Sequence, residues 1–160
     1  YEGGIREPYM IVAPGLTGAG SVCHHPVTST DFYPTLLELA GLPARPEQHL
    51  DGQSLVSLLR DPDATLPRKS LHWHYPHYSN QGGFPGGAIR QGDYKLIERL
   101  EDGRVHLYNL EEDIGETTDL ADREPERVKS MRHDLHVWYR KVDAKFLRPK
   151  QPGGPVPWKP

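Results

Sequence analysis

Between residues 71 and 110 the sequence falls into four short runs, LHWHYPHY, GGAIRQG, YKLIERL and VHLYNL, separated by glycine-bearing stretches. Each run mixes apolar and polar residues in rough alternation, the pattern of a strand that lays one face on a core. Two of the separators, Gln91-Gly92-Asp93 and Glu101-Asp102-Gly103, carry tight-turn chemistry, because glycine adopts φ > 0 that other residues resist. Short strands joined by tight turns pair antiparallel, so this stretch predicts a meander of about four strands. Within YKLIERL, Tyr94, Leu96 and Arg99 break strict alternation, and one face is only roughly defined.

The meander needs a cover. From Pro125 onward Val128, Met131, Leu135, Trp138 and Val142 recur at three-to-four spacing, which predicts an amphipathic helix running to about Leu147 and lying on one face of the sheet. The tail RPKQPGGPVPWKP has no periodicity and is expected to be extended or disordered. Upstream of the meander the clearest signal is TSTDFYPTLLELAGLP, which predicts a helix over 32–40. Ser29, Thr30 or Asp31 can cap it, Pro34 sits in its first turn, Leu36, Leu37 and Ala40 share a face, and Gly41 with Pro43 ends it. Ser54 can cap a second, short helix over 55–59. PYMIVAPG (8–15) has the length and brackets of a buried strand, and SVCHHPV could hold one more short strand. The fold class is therefore α+β: a strand and helices that do not complete a layer, then an antiparallel sheet with one long helix.

The totals set limits on function. Apolar residues are 36% of the chain, and Gly and Pro, 16 each, fill a fifth of its 160 positions, as in a loop-rich piece with a modest core. The net charge of −3 gives no basic excess for nucleic acid and no polybasic patch for an anionic membrane. No apolar run approaches the ~18 residues of a membrane span. A single cysteine, Cys23, excludes an internal disulfide.

Candidate chemistry is thin when read from the residues alone. His72 and His74, alternate residues on a strand, share a face as two metal ligands would, and His77 follows the bend at Pro76. A metal site needs further ligands, and no second Cys/His cluster lies at a convincing spacing. Packing, surface exposure and contact with an anionic or sugar substrate all remain open for these histidines. Cys23 beside His24 does not make a nucleophile pair, because neighbours on a strand face opposite ways; a buried, inert thiol is expected. Glu2 and Arg6 flank Gly3-Gly4 and suit an ion pair holding a tight turn, or an arginine near an anionic ligand. Arg90 is strand-borne beside a turn, and solvent exposure competes with function there. There is no phosphate-binding loop, no Gly-x-Ser-x-Gly, no His-Glu-x-x-His and no paired-cysteine motif.

Several motifs in order add what single residues do not. YEGGIREP, PYMIVAPG, TSTDFYPTLLELAGLP, LDGQSLVSLL and the stretch from HWHYPHYSNQGG to NLEEDIGETTDLA together resemble the C-terminal region of the sulfatases, the arylsulfatase A-like branch of the alkaline-phosphatase superfamily. The likeness runs from Tyr1 to about Val142. It implies that residues 1–66 are the end of the large α/β sulfatase domain, 67–148 the C-terminal subdomain, and 149–160 a tail. It implies a longer parent, the back third of which is this chain, with secretion or a periplasmic location expected for that parent. The family's formylglycine nucleophile, its calcium ligands and its sulfate-binding lysine are expected upstream, so no catalytic residue, metal ligand or cofactor is assigned here. His74 and His77, and more weakly Arg90, are expected to contact the substrate, a sulfate ester such as a sulfated glycan, with Glu2 and Arg6 structural near the active site. The isolated chain is expected to be inactive, to partner the N-terminal catalytic portion, and to self-associate over unpaired edges. A stand-alone binding module for sulfated glycans, and a fragment of a related phosphonate or phosphodiester hydrolase, are the competing expectations.

Overall fold

The computed structural model describes residues 1–80, 82–154 and 156–160. The chain divides into two compact units, Glu7–Arg68 and a second unit made of Tyr1–Arg6 with Lys69–Pro160. The opening residues thus group with the sheet and not with the segment that follows them.

In the first unit, a 3-10 turn at Ser29–Asp31 leads into helix α1, Phe32–Leu39, and helix α2 follows at Val56–Arg60. None of Ser29, Thr30 and Asp31 caps α1 with its side chain; Asp31 instead closes the start of the preceding 3-10 turn, its carboxylate accepting from the Thr28 amide at 2.9 Å. At the other end the Leu42 amide reaches the Leu37 carbonyl and the Gly41 amide the Glu38 carbonyl, with Gly41 at φ +67°. This closes the helix by the left-handed glycine geometry that its sequence called for. Pro34, Thr35 and Leu37 are buried, whereas Leu36 is exposed, so the helix turns a narrower apolar face inward than its spacing suggested. Asp31 is fully buried and organises the unit. It receives two bonds from the Arg68 guanidinium (2.7 and 2.9 Å) and one from the Gln53 amide. The small core holds Leu55, Leu58 and Leu66, with Ile11, Val27 and Ala64 against it.

Three sequence expectations fail in this unit. Residues 8–15 form no strand, and Met10 and Val12 are each 87% exposed. A strand exists only through its ladder, and no described segment pairs with this one. Residues 21–27 likewise carry no strand, and Cys23 is exposed instead of buried.

The second unit is the predicted meander. Strands β1 (Leu71–Tyr75), β2 (Gly86–Gln91), β3 (Tyr94–Arg99) and β4 (Val105–Asn109) pair antiparallel in sequence order. Helix α3, Pro125–Lys141, packs on β2 and β3. The register places Ile89, Leu96 and Leu107 side by side across three strands, where Met131, Leu135 and Tyr139 of α3 meet them. Ala88, Ile97, Tyr108 and Leu110 form a second cluster with Trp73 and Phe84. Strand β3 is therefore buried on both faces, which is why its sequence does not alternate cleanly. The approach of α3 is close at Gly87, where a Cβ would lie 1.8 Å from the Tyr139 hydroxyl. Tyr139 is the main residue of the helix stripe that spacing alone missed.

Helix α3 ends at Lys141, six residues before the expected Leu147. Asp143 takes φ +49°, and the Ala144 amide turns back to the Tyr139 carbonyl. A short carboxylate residue tolerates the left-handed state and here takes the place of a terminal glycine. Within the tail, Trp158 docks on the β3–β4 turn. Its ring lies under the Arg132 guanidinium, 5.0 Å from the centroid, and 5.8 Å from the His136 ring. Gly103 makes the seat, since its φ is +75° and a Cβ there would meet Trp158 Nε1 at 2.5 Å.

Two outcomes follow from these contacts. Gly103→Ala and Gly92→Ala both force a side chain into left-handed backbone, each costing about 1–2 kcal/mol, but only Gly103→Ala also unseats Trp158. Urea denaturation should therefore show the larger loss for Gly103→Ala; equal losses would mean that the tryptophan seat contributes nothing. The second concerns acid. Burial pushes the Asp31 carboxyl upward, but Arg68 and the Gln53 and Thr28 amides outweigh it and hold the group below its ordinary 3.8. The stabilisation is thus complete above pH 3.8 and is lost as pH falls through the lowered value. Asp31→Ala should cost about 3–5 kcal/mol near neutrality, because Arg68 is left buried and unpaired. Acid titration followed by circular dichroism should show a steeper loss of stability below pH 4 for the wild type than for Asp31→Asn.

Candidate functional site

The densest group of charges in the sheet unit forms around the first turn of the chain. Glu2–Gly4 is a 3-10 turn, and the Glu2 side chain enters the fold beside β2 and β3. Its Oε1 pairs with Lys95 Nζ at 2.9 Å. Lys95, 1% exposed, also reaches Glu116 Oε1 at 2.8 Å. The Glu2 amide donates to Glu116 Oε2 at 2.5 Å, so Glu116 grips both the backbone of the turn and the lysine that holds its side chain. Arg6 Nη1 lies 3.4 Å and Arg90 Nη1 3.7 Å from Glu2 Oε2. Arg90 is held further by Nε donating to the Gly92 carbonyl at 3.0 Å.

Local sequence explains how each group arrives. Arg90 and Lys95 are cross-strand partners flanking the Gly92 turn, so they emerge on the same face. Glu116 comes from a loop wound on Asp113, whose carboxylate accepts the Thr117 and Thr118 amides at 2.8 and 2.7 Å. The Glu116 backbone is left-handed at φ +53°, a strained state for a glutamate, and it is maintained by what surrounds it. Burial would raise the Glu2 carboxyl, but Lys95 first, then Arg6 and Arg90, hold it below its ordinary 4.5. Two carboxylates thus meet three cations, and Arg6 is the most exposed of them, its side chain 55% accessible.

The sequence-expected residues do not form one cluster. Glu2, Arg6 and Arg90 come together here. His74 lies toward α3, its ring edge-on to Tyr139 at 5.1 Å and Phe146 at 5.3 Å, with Nε2 2.6 Å from the Lys145 carbonyl. A carbonyl only accepts, so Nε2 is the protonated nitrogen. His72 stacks on Trp138 at 4.8 Å, on the same side of the sheet as His74, as alternation requires. His77 is exposed beyond the strand, its ring 5.4 Å from Tyr75. Among the described residues no three His, Cys, Asp or Glu side chains converge as a metal site.

A second buried charge sits on the helix side of β3. Glu98 accepts from Arg132 Nε at 2.7 Å and contacts His136 Nε2 at 2.9 Å. Sequence reasoning missed this pair, and it also missed Lys95 and Glu116. The one signal for Lys95 and Glu98 is the broken alternation of YKLIER; for Glu116, a loop residue, there is none.

Comparison with known proteins gives these features a context. The family model for the C-terminal region of N-sulphoglucosamine sulphohydrolase matches residues 1–144. A sulfatase of Formosa agariphila is 39% identical over 90% of this chain and 29% of its own length. Human arylsulfatase A is 43% identical over 90% of this chain and 32% of its own. The crystal structure of Ps i-CgsB in complex with k-i-k-neocarrahexaose has a TM-score of 0.61 and 27% identity, covering 78% of this chain and 27% of that one. The chain therefore spans about three tenths of the length of the curated relatives it matches. Its meander, its covering helix and its motif order agree with that position, and the chain belongs to the family of sulfatase C-terminal regions described by N-sulphoglucosamine sulphohydrolase.

Proposed function

We propose that this chain is the C-terminal part of a sulfuric ester hydrolase, supplying scaffold and the rim of the substrate pocket to a catalytic portion that carries the nucleophile, the calcium ligands and the sulfate-binding lysine. The observation that carries the reading is the match of nine-tenths of this chain to about three tenths of two sulfatases. The first unit supports it. Met10, Val12, Leu36, Leu42 and Leu50 are all exposed there, apolar surface that a further part of the same protein would cover.

In this reading the present residues bind and orient; they do not react. Sulfate ester cleavage develops negative charge, which fixed cations stabilise. Arg90 is the proposed contact for an anionic group of the substrate, kept in place by Gly92 and Glu2, with Arg6 beside it. His77 and the neighbouring Tyr75 present exposed rings on which a sugar can lie. His74 contributes from beneath, its ring fixed by Lys145 and the Tyr139–Phe146 pair. A glycan is the proposed substrate class, as in the Ps i-CgsB complex.

The test has two parts. Purified Tyr1–Pro160 should release no sulfate from an aryl sulfate above buffer; turnover by this chain alone would overturn the division of labour. In the full-length protein, His77→Ala and Arg90→Ala should each raise KM for the native sulfated substrate about tenfold, about 1.4 kcal/mol of lost binding. His74→Ala should lower kcat/KM by a similar factor. Unchanged kinetics for all three would remove these residues from the pocket, and hydrolysis of a phosphonate ester in preference to a sulfate would reassign the chemistry.

A further inference from the structure

Two arginines share one carboxylate oxygen at the outer edge of the charge group around Glu2. Arg6 Nη1 lies 3.4 Å and Arg90 Nη1 3.7 Å from Glu2 Oε2. A strong charge-assisted bond between such groups is about 2.7–2.9 Å long. Elsewhere the chain makes them: Arg68 grips both oxygens of Asp31 at 2.7 and 2.9 Å, and Arg132 meets Glu98 at 2.7 Å. Beside Glu2 the guanidiniums are close but only loosely engaged. Each has a fork of N–H donors, and among the described residues their one further side-chain bond runs from Arg90 Nε to the Gly92 carbonyl. Two carboxylates against three cations leave one positive charge over, at the accessible end of the group.

The inner end of the group explains this spacing. Glu116, Lys95 and Glu2 alternate in sign, each side chain at most 6% accessible. Lys95 Nζ takes Glu2 Oε1 at 2.9 Å, so only Oε2 is left for the arginines. Glu116 pairs with the lysine through one oxygen and accepts from the Glu2 amide through the other. The Tyr1 ring, edge-on to Phe84 and Tyr108, anchors the same turn. A buried ion pair is a poor source of stability, and apolar residues would fill the same space as well. What this pair supplies is orientation. Released from Lys95, Glu2 would be free to turn both oxygens on Arg90, as Asp31 does on Arg68, and neutralise it.

We propose that Lys95 and Glu116 are positioning residues that hold Glu2 half-engaged, so that Arg6 and Arg90 together bind one singly charged oxyanion borne by the substrate. A sulfate half-ester and a uronate carboxylate share that chemistry, and either suits a pair of guanidinium forks. One surplus positive charge matches one negative charge on the ligand. The inference deepens the proposed function above and rests on it for the ligand being a group of the substrate.

The test reads the arginine Nε–H signals of the 160-residue chain by NMR at pH 7 while methyl sulfate or acetate is added, with sodium chloride at matched ionic strength as the blank. The Arg6 and Arg90 signals should shift together and saturate with at least one of the two anions. The anion that saturates at the lower concentration identifies the group as ester sulfate or carboxylate. Glu2→Gln should lower the half-saturating concentration about tenfold, because the amide oxygen still accepts from Lys95 while the side chain no longer offsets the arginines. Lys95→Met with Glu116→Gln removes the buried pair together and should raise that concentration about tenfold, as Glu2 closes on Arg90. Opposite signs are the point of the comparison, since a turn that had merely loosened would bind more weakly in both variants. Arg6→Gln alters an exposed side chain, so it reads the site even where a buried variant fails to fold, and it too should raise the concentration about tenfold. Shifts no larger than those in sodium chloride, an unchanged midpoint in Arg6→Gln, or weakening in Glu2→Gln would overturn the proposal. The readout needs no turnover. A full-length protein whose KM for a sulfated substrate ignores these variants, while the chain binds anions as described, would count against the proposed substrate rim and leave the anion site standing.

Discussion

Strand β3 buries a charge on each of its faces, and the rest of the sheet unit is arranged around those two groups. Lys95 faces the first turn of the chain and is met by Glu2 and Glu116. Glu98 faces α3 and is met by Arg132 and His136. An unpaired ion in either place would cost several kcal/mol, more than most single contacts contribute. Each charge therefore dictates which segment covers its face and in what register. The helix cannot slide along the sheet without stranding Glu98, and the Tyr1–Arg6 segment cannot leave without stranding Lys95.

Apolar packing supplies the bulk of the cohesion and the charges supply its address. Ile89, Leu96 and Leu107 would accept any apolar helix stripe of suitable width. Arg132 and His136 select one rotation of α3, and Gly87 admits the Tyr139 ring only at that setting. Asp31 plays the corresponding part in the first unit, where one buried carboxylate joins the Thr28 amide, the Gln53 amide and the Arg68 guanidinium. Both units use a small apolar core and leave orientation to buried, paired charge. That suits a chain with 36% apolar residues and a fifth of its length in Gly and Pro.

Local signals are legible wherever the physics is local. The turns at Gly92 and Gly103, the stop at Gly41 and the stripe of α3 depend on neighbours in sequence, and each appears where the pattern places it. The departures arise where the deciding contact is not in the pattern. PYMIVAPG has strand composition, but a strand needs a partner, and none of the described segments supplies one. Helix α3 ends earlier than its periodicity implies because an aspartate in the left-handed state looks like any other helix residue in a count of apolar spacings. Of the candidate site, Glu2, Arg6 and Arg90 are legible, while the lysine and glutamate that hold them lie 93 and 114 residues from Glu2.

The sequence by itself determined the class of fold, the order of its strands, the position of its helices and, through the order of its motifs, the family. These follow from hydrophobic period, turn chemistry and capping, which act over a few residues. Only the tertiary structure decided that His74 lies under a helix while Arg90 joins Glu2, that Trp158 closes over Gly103, and that the opening turn belongs with a sheet that begins some seventy residues later. Those choices come from pairing buried charges and filling space between distant segments. No pattern along the chain records which distant partner a buried charge will find.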